Sequence, residues 1–340
     1  LERLLSQEVL VQDSKPGLFI YRQVQDHHVQ TGVVCCCHVD DYRNNTIKKH
    51  ERTRPDKEDD RTRHTVTLKA NAGPVFLTYR DSTVIDGLVD QDVNHRPLFH
   101  FNAPDGVTHT VWPVSDTKAY VAAFGSIASA YVADGHHRAA SAARAGTELR
   151  QQGACHSDEC DWFLTVLFPA SQLQILAYNR TVTDLNGHSK TAFIEALSEL
   201  GNLSKTNDPH PTHRGKICIL LEDQWFELNL DTQAIDSQDP ISGLDVALLQ
   251  DRILKPLLGI EDPRTDKRIK FVGGHDASKT MERQIQDQEA AVAFNLYPTS
   301  IEQLLAVSDA DLMMPPKSTW FEPKLKSGLL VHSLEDPSDE

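Results

Sequence analysis

Two mostly apolar segments that are rich in strand-forming residues, 18–24 and 31–39, predict two β-strands near the start of the chain. The polar stretch Asp26–His28 lies between them, so the pair is predicted to form a hairpin. Shorter apolar segments predict further strands at 75–79, 97–102, 107–112, 130–132, 162–168, 173–177, 216–221, 225–230 and 290–296. Residues 104–106 predict a turn within this series, and residues 222–224 predict a second hairpin.

Apolar residues with helical spacing predict helices at 116–127, 189–200, 242–258 and 301–312. The third of these is predicted to begin at a Ser242 cap, with Asp245 three residues later. Another helix is predicted to begin near Pro55, and the polar segment 201–214 is predicted to be a loop. Helices and strands that mix without a strict β-α-β order predict an α+β fold, with a mixed sheet and packed helices.

The character of the sequence changes near residue 180, and a length of 340 residues allows two domains. We therefore predict domains at 1–180 and 181–334, followed by a disordered acidic tail at 335–340. The first residues, Leu1–Leu5, match neither a signal peptide nor a transit peptide and lack an initiator Met. They predict a fragment or a processed form.

Composition narrows the classes of function. Hydrophobic residues make up 39% of the chain, which is enough for a core. There is no run of roughly 18 apolar residues, so no membrane-spanning helix and no membrane partner are predicted. The net charge of −15 disfavours nonspecific nucleic-acid binding, which depends on many Lys and Arg contacts to phosphates. A small anion held in a local basic pocket remains compatible with this charge.

The six cysteines predict reduced thiols that pack as small apolar residues in a cytoplasmic protein. Cys35–Cys37 are consecutive, and neighbours on a strand point to opposite faces, so this triplet is not a disulfide framework. Cys155, His156 and Cys160 have a loose metal-ligand spacing, but no matching second pair follows them. A zinc site is therefore disfavoured.

The segment Ala133–Arg138, with the sequence Ala-Asp-Gly-His-His-Arg, carries the strongest chemical signal. It lies between an apolar strand and an alanine-rich helix. The first turn of a helix has unpaired N–H groups and partial positive charge, and two imidazoles and a guanidinium would add donors there. This arrangement predicts an anion site, with phosphate as the first candidate.

A purely structural role for the same segment stays open. Asp134 is a good helix cap, and Gly135 suits a tight turn. His136, His137 and Arg138 are consecutive, so their side chains point in different directions around the helix and cannot all face one ligand.

A block of charged residues at 47–64 supplies further candidates. Lys57 and Arg61 are one helical turn apart and could bind an anionic substrate group, although such charged helices are usually solvated surfaces. Glu51 stands among basic neighbours, which favour an ionised carboxylate that could serve as a general base. An exposed loop glutamate is the simpler explanation of this position.

The proline-rich segment Met313–Lys324 cannot form a regular helix. Two interpretations remain open. It is either a rigid loop that presents Lys317, Ser318 and Thr319 to a site, or a structural segment with its aromatic residues in the core.

Several motifs together resemble the domain of unknown function 1015 family of bacteria and archaea. They are Ile47–Glu51, Arg54–Lys57 with Asp60–Arg61, Gly73–Leu77, Ala133–Arg138, Tyr178–Arg180, Pro298–Ser300 and Pro315–Thr319. More distantly, the Asp-Gly-His-His-Arg turn is similar to the ParB/sulfiredoxin-like superfamily and its free-serine kinases. Members of the family usually have a further segment before the residue at which this chain begins.

This resemblance implies a nucleotide-dependent phosphotransferase that moves phosphate between ADP or ATP and a small hydroxyl compound, by analogy L-serine. Asp134, Gly135, His136, His137 and Arg138 would hold the nucleotide. Asp134 would hold Mg²⁺. Glu51, His137 and Arg138 would be catalytic.

In the same scheme, Lys57, Arg61, Lys317 and Ser318 would bind the substrate. The expected partners are a nucleotide and a small molecule, and a homo-oligomer is compatible with the sequence. A nucleotide-binding regulatory module without turnover, or a DNA-binding ParB-like protein, are the alternatives. Sulfiredoxin-like chemistry needs a cysteine in the turn, and residues 133–138 contain none.

Overall fold

The computed structural model describes residues 1–13, 15–155, 157–231 and 239–335. Two compact units are found: Leu1–Gln174 with Pro323–Glu340 form the first, and Ile175–Glu322 form the second. The predicted domains 1–180 and 181–334 differ from these units at their ends, because the chain after Glu322 returns to the first unit. Apart from Glu335, the predicted acidic tail lies outside the described residues.

The helices and strands are as follows. The helices are α1 (Glu2–Ser6), α2 (Val39–Arg43), α3 (Pro55–Leu68), α4 (Thr83–Asp92), α5 (Thr117–Phe124), α6 (His136–Gln151), α7 (Lys190–Ser198), α8 (Asp245–Leu249), α9 (Ala277–Gln286) and α10 (Ile301–Asp309). The strands are β1 (Phe19–Gln25), β2 (His28–His38), β3 (Ile47–Lys48), β4 (Ala70–Asn71), β5 (Val75–Tyr79), β6 (Phe99–Asn102), β7 (Thr108–Pro113), β8 (Ala130–Asp134), β9 (Trp162–Pro169), β10 (Gln174–Leu176), β11 (Asn179–Val182), β12 (Gly201–Thr206), β13 (Lys216–Leu221), β14 (Gln224–Leu230), β15 (Ile269–Val272), β16 (Val292–Asn295), β17 (Trp320–Glu322) and β18 (His332–Ser333). This mixture confirms the predicted α+β class.

The first unit is built on an eight-stranded sheet in the order β3-β8-β5-β9-β2-β1-β7-β6. The pairs β3–β8 and β5–β9 are parallel and the others are antiparallel, so the sheet is mixed, as predicted. The hairpin β1–β2 pairs Gln25 with His28, and Asp26 in the turn has φ 53°. A turn that accepts a left-handed residue lets these two strands pair without a bulge.

Apolar side chains from α2, α4, α5 and α6 pack against one face of this sheet. The cluster includes Val39, Ile85, Tyr120 and Ala139, all at most 1% exposed. Helix α6 is rich in alanine, which lets it approach the sheet closely. The core therefore fixes the position of α6, and with it the turn that precedes this helix.

Helix α3 begins at Pro55, with Arg54 at the cap position and no side-chain cap bond. Proline suits a first helical position because its missing N–H would have no partner there. The Thr53 hydroxyl donates instead to Glu58, at 2.9 Å. The predicted helix start is thus confirmed to within two residues.

The second unit contains a six-stranded antiparallel sheet in the order β12-β14-β13-β16-β11-β15. The predicted hairpin is confirmed as β13–β14, and Ser300 forms a capping box with Gln303 at the start of α10. The prediction of a loop over 201–214 is wrong in its first half, where β12 forms. Its polar residues are tolerated because β12 lies at the edge of the sheet, where one flank faces solvent.

The predicted helix at 242–258 is also corrected. Helix α8 begins at Asp245 rather than after Ser242, and Gln250–Leu254 continue as one turn of π-helix. The Asp245 carboxylate does not serve a capping box, because it accepts a hydrogen bond from the Gly215 N–H at 2.8 Å. A hydrogen bond from a residue distant in sequence has thus replaced the capping contact that the local pattern predicts.

The prediction of reduced cysteines is confirmed for one group of cysteines and wrong for another. Cys35, Cys36 and Cys37 are free thiols on β2, as expected. Cys155 and Cys160 form a disulfide, so the prediction of reduced thiols is wrong for this pair, and neither sulfur is a thiolate metal ligand. His156 lies outside the described residues.

Every helix within the described ranges is too short or too polar to cross a lipid bilayer.

Candidate functional site

The turn between β8 and α6, here called the Asp134–Arg138 turn, depends on glycine at one position. Gly135 has φ 99°, which L side chains rarely adopt. A Cβ atom at this position would also lie 2.8 Å from Nε of Arg138. The guanidinium of Arg138 therefore folds back over the turn, directly above a residue without a side chain.

Asp134 lies between two cations. Its Oδ2 atom is 3.5 Å from a terminal nitrogen of Arg138 and 3.6 Å from Nζ of Lys324. Burial opposes ionisation, but Lys324, Arg138 and the Gly135 N–H outweigh it and hold the pKa of Asp134 below its usual value. The carboxylate is therefore charged at neutral pH. Both separations exceed a normal hydrogen bond, so the pairs are loose enough to exchange for another anion.

Arg138 is surrounded by further groups of the first unit. Burial and the nearby charge of Arg61 lower the pKa of Arg138, while Asp134 opposes this shift. A Cβ on Gly73 would lie 3.6 Å from Arg138 and 2.9 Å from the Ser327 hydroxyl. The charge of Arg61 on α3 therefore reaches Arg138. A substrate-binding role for Arg61 stays a prediction. Lys57, one turn earlier on α3, is exposed.

His136 points into the protein interior. Its ring is 5% exposed, and its Nε2 atom lies 3.4 Å from Nε2 of His50, which is 1% exposed. The rings meet edge to face at 4.4 Å. Burial and the neighbouring His136 hold the pKa of His50 well below its usual value, although Asp134 opposes them. His50 is therefore neutral at pH 7, and the His136 ring packs against it instead of projecting into solvent.

His137 points toward the start of α3. Its Nε2 atom accepts a hydrogen bond from the Arg54 backbone N–H at 3.0 Å. The three consecutive residues therefore take three directions, as their spacing predicts: His136 contacts His50, His137 contacts Arg54, and Arg138 contacts Asp134. Arg138 is the member of the three whose charged group covers the turn.

Glu51 follows His50 in the chain and is half-buried. Because the His50 ring contacts His136, the backbone of Glu51 lies close to the Asp134–Arg138 turn although the two are far apart in sequence. The structure thus brings together the loop of the candidate base and the candidate phosphate turn.

Lys317 and Ser318 belong to the second unit. The Ser318 hydroxyl donates to the Pro315 carbonyl at 2.7 Å, and the residue is 5% exposed. Buried Arg180 donates to the Lys317 carbonyl at 2.8 Å, and the Lys317 ammonium lies 5.7 Å from the centre of the Tyr178 ring. These contacts make the loop rigid. A substrate-binding role for Lys317 and Ser318 stays a prediction.

The residues present do not fit a protein-built Mg²⁺ site. Among the described residues, no group of three or more His, Cys, Asp or Glu side chains could hold a metal ion. Asp134 is the only acidic candidate of the turn, and its charge is already shared between Lys324 and Arg138. A divalent cation at this carboxylate would be repelled by both.

A cavity of about 450 Å³ lies on a different side of α6 and does not include the turn. It is open and is lined by Tyr42, Arg43, Thr53, Glu58, Ala140, Ala143, Arg144, Thr147 and Glu148. Its charged groups form ion pairs, as in the contact of 2.9 Å between Arg144 and Glu148. The residues of the turn are therefore not part of this cavity.

Lys324 is the site residue that the sequence prediction missed. It lies 190 positions after Asp134 in the sequence. Two features of the sequence could have indicated Lys324. It stands at the end of the proline-rich motif, and it is a basic residue in a chain where acidic residues outnumber basic ones.

Comparisons with known proteins place these observations in context. The family model described as "Protein of unknown function (DUF1015)" matches residues 1–247. No curated protein sequence matches the chain. Among solved structures, a conserved hypothetical protein from Pyrococcus furiosus is 12% identical with a TM-score of 0.42, and the match covers 89% of this chain and 96% of that chain.

Two further solved structures are similar at the same level. Free serine kinase in complex with AMP is 12% identical with a TM-score of 0.42, and the match covers 86% of this chain and 90% of that chain. SbnI with a C-terminal truncation, from Staphylococcus aureus, is 13% identical with a TM-score of 0.45, covering 88% and 87% respectively.

Proposed function

Because this chain belongs to the DUF1015 family, whose function is unknown, we propose a function from its own site: it is a nucleotide-dependent phosphotransferase that acts on a small hydroxyl compound. The observation that carries the proposal is the cationic cluster at the start of α6. Arg138 and Lys324 both contact Asp134 there, and the charge of Arg61 acts on Arg138.

The cluster suits phosphate for electrostatic reasons. Two cations contact one carboxylate, and the charge of Arg61 acts on one of them, so the site carries an excess of positive charge. The N-terminus of the 16-residue helix α6 adds to it. Arg138 and Lys324 are 30% and 45% exposed, so a ligand can reach them. A phosphate would exchange two loose ion pairs for charge-assisted hydrogen bonds, which are shorter and stronger.

In the proposed reaction, the substrate hydroxyl oxygen attacks the terminal phosphorus of the nucleotide. A new O–P bond forms, the bond from phosphorus to the bridging oxygen breaks, and the shortened nucleotide leaves with that electron pair. Glu51 accepts the hydroxyl proton. Arg138 and Lys324 stabilise the charge on the phosphoryl oxygens, so catalysis rests on position and electrostatics. Lys57 and Arg61 bind an anionic group of the substrate, and L-serine is the first substrate to test.

The nucleotides proposed are ADP or ATP. Mg²⁺ enters this proposal as a companion of the nucleotide rather than as a ligand of Asp134, since the fit at that carboxylate is poor. No step of the reaction is assigned to it.

Calorimetric titration with AMP, ADP and ATP, with and without Mg²⁺, tests binding. Phosphorus NMR of mixtures of nucleotide and L-serine tests turnover. We expect Arg138→Ala and Lys324→Ala each to weaken nucleotide binding at least about 10-fold, because each removes a charged hydrogen-bond donor. Glu51→Gln should bind normally and lose turnover by about 100-fold or more.

Lys118→Ala and Glu195→Gln are the matched controls, because both residues are exposed and lie on other helices. Their binding and turnover should equal those of the parent. Absence of nucleotide binding to the parent chain would refute the proposal.

A nucleotide-binding module without turnover is the second candidate. It is favoured by the hydrogen bond from Arg54 to Nε2 of His137, which engages the imidazole that would otherwise assist the reaction. Tight binding with no phosphorylated product, over a panel of hydroxy amino acids, would select this candidate.

A further inference from the structure

The last described residues, 323–335, form a segment that crosses the first unit and is here called the C-terminal strap. At its start, Lys324 reaches Asp134, and the Lys324 carbonyl accepts a hydrogen bond from Gln23 at 2.9 Å. Farther along, the Gly328 N–H donates to the Ala72 carbonyl at 2.7 Å. The strap therefore delivers one of the cations of the proposed phosphate site.

The far end of the strap rests on the Cys155–Cys160 disulfide. Leu334 is 3% exposed and packs with Leu149 and both cysteines in one apolar cluster. The Leu334 N–H also donates to the Lys69 carbonyl at 2.8 Å. Both sulfur atoms thus form part of the surface that buries Leu334.

A polar contact adds to this attachment. His332 lies 2.7 Å from Glu159, which is next to Cys160 in the chain. His332 also pairs with Asn71 in the two-stranded sheet β4–β18. The same short region therefore holds the strap by an apolar contact and by a polar one.

The two ends of the strap are connected through residues 70–73. These residues pair with β18 at one end, and their last member, Gly73, lies against Arg138 and Ser327. Displacement of β18 would therefore free the backbone that supports Arg138, as well as the strap that carries Lys324.

We propose that the Cys155–Cys160 disulfide is a redox switch for the nucleotide site, an inference that rests on the proposed function. A dithiol reductant transfers two electrons and two protons to the bond. The S–S bond breaks, two S–H groups form, and the reductant becomes a disulfide. The two sulfurs are then no longer joined by a covalent bond and separate to van der Waals contact, which disturbs the surface under Leu334.

Cys155 is the less buried of the two cysteines and therefore the sulfur that a reductant reaches first. Cys155 is 8% exposed and follows the exposed residues 151–153, whereas Cys160 is 1% exposed. The Cys160 carbonyl lies against Gly146 of α6, where a Cβ would be only 2.1 Å from it. Cys160 is thus held by the helix, and Cys155 is the sulfur that moves after reduction.

The test compares the full chain in the oxidised form and after treatment with dithiothreitol. Hydrogen exchange of residues 323–335 reports on the strap, and calorimetric titration with AMP reports on the site. We expect faster exchange in the strap and an AMP affinity about 5- to 10-fold lower after reduction. The double variant Cys155→Ser with Cys160→Ser should match the reduced form and should not respond to dithiothreitol.

Two controls separate the switch from other effects. Cys218→Ser removes a buried thiol of the second unit and should keep the redox response. Lys324→Ala should bind AMP weakly in both redox states, because its strap no longer carries the cation.

Unchanged exchange of residues 323–335 after reduction would overturn the switch, whether or not AMP binds. Faster exchange with unchanged AMP affinity would overturn it as well. If the strap loosens but neither form binds any nucleotide, the proposed function fails, while the link between the disulfide and the strap stands.

Discussion

Gly135 and Arg138 show how single residues define the candidate site. The backbone at Gly135 has φ 99°, and the space beside it is taken by the Arg138 guanidinium. Two independent requirements therefore converge on one position: a left-handed backbone and the absence of a side chain. The neighbouring imidazoles serve different purposes, since His136 lies in the interior and His137 accepts a hydrogen bond from the Arg54 N–H just before α3.

We predict that Gly135→Ala destabilises the protein by about 1–3 kcal/mol, because alanine strains the left-handed conformation. It should also weaken nucleotide binding, because the new methyl group displaces Arg138. Urea unfolding and calorimetric titration measure the two effects.

Gly87→Ala is the matched control for this change. Gly87 lies inside α4 with open space around its Cβ position, so alanine there should stabilise the protein by about 0.5–1 kcal/mol. If Gly135→Ala behaved like Gly87→Ala, the argument for the turn would be wrong.

At the scale of elements, helix α8 shows how a tertiary contact displaces a local signal. The pattern at Ser242 predicts a cap three residues before Asp245, but the helix begins at Asp245 itself. This carboxylate is 4% exposed and accepts a hydrogen bond from Gly215 at the start of β13. Burial raises the pKa of Asp245 to about 6, although the Gly215 N–H and Arg214 oppose the shift.

This shift predicts a pH dependence with a definite sign. A carboxyl whose pKa is higher in the folded state contributes most to stability below about pH 4, and the contribution is lost as the pH rises through about 6. Asp245→Asn cannot ionise and keeps an oxygen acceptor for Gly215. We therefore expect the variant to be more stable than the parent at pH 7.5, by up to about 3 kcal/mol.

Urea unfolding at pH 3.5 and pH 7.5 measures this difference, which should nearly vanish at the lower pH, below the pKa of Asp in the unfolded chain. Asp251→Asn is the control, because Asp251 is exposed in the π-helical turn that follows α8. Identical pH profiles for Asp245→Asn and the parent would contradict the prediction.

At the scale of the whole molecule, the distribution of charge distinguishes between two kinds of anionic partner, a long polyanion and a small phosphate compound. The chain has a net charge of −15, yet Arg138 and Lys324 both contact a single carboxylate, and the charge of Arg61 acts on Arg138. A long polyanion is repelled by the overall negative charge of the chain, whereas a small phosphate is attracted by the local positive charge of the site. The distribution therefore favours a nucleotide over a nucleic acid.

We predict that short duplex DNA shows no binding at 50 mM salt, while AMP binds under the same conditions. Fluorescence anisotropy, with labelled DNA in one titration and a labelled nucleotide in the other, compares the two affinities directly. Saturable DNA binding that weakens steeply between 50 and 200 mM salt would instead support a ParB-like role.

Local patterns were sufficient for much of the secondary structure. The hairpins β1–β2 and β13–β14, the strand β8 and the helices α5, α7 and α10 follow from periodicity and turn residues, because such signals act over a few neighbouring positions. Short strands such as β11 and β15 were not predicted. Four residues are too few for a clear period, and their stability comes from pairing within the second sheet.

The sequence by itself determined the α+β class and the turn at Gly135, since both depend on residues close together in the chain. The tertiary structure alone decided that Lys324 reaches Asp134, that His136 turns inward to His50, and that the strap rests on the Cys155–Cys160 disulfide. These contacts join residues that are far apart in sequence. No local pattern encodes such a meeting, because it depends on how the sheet and its helices pack.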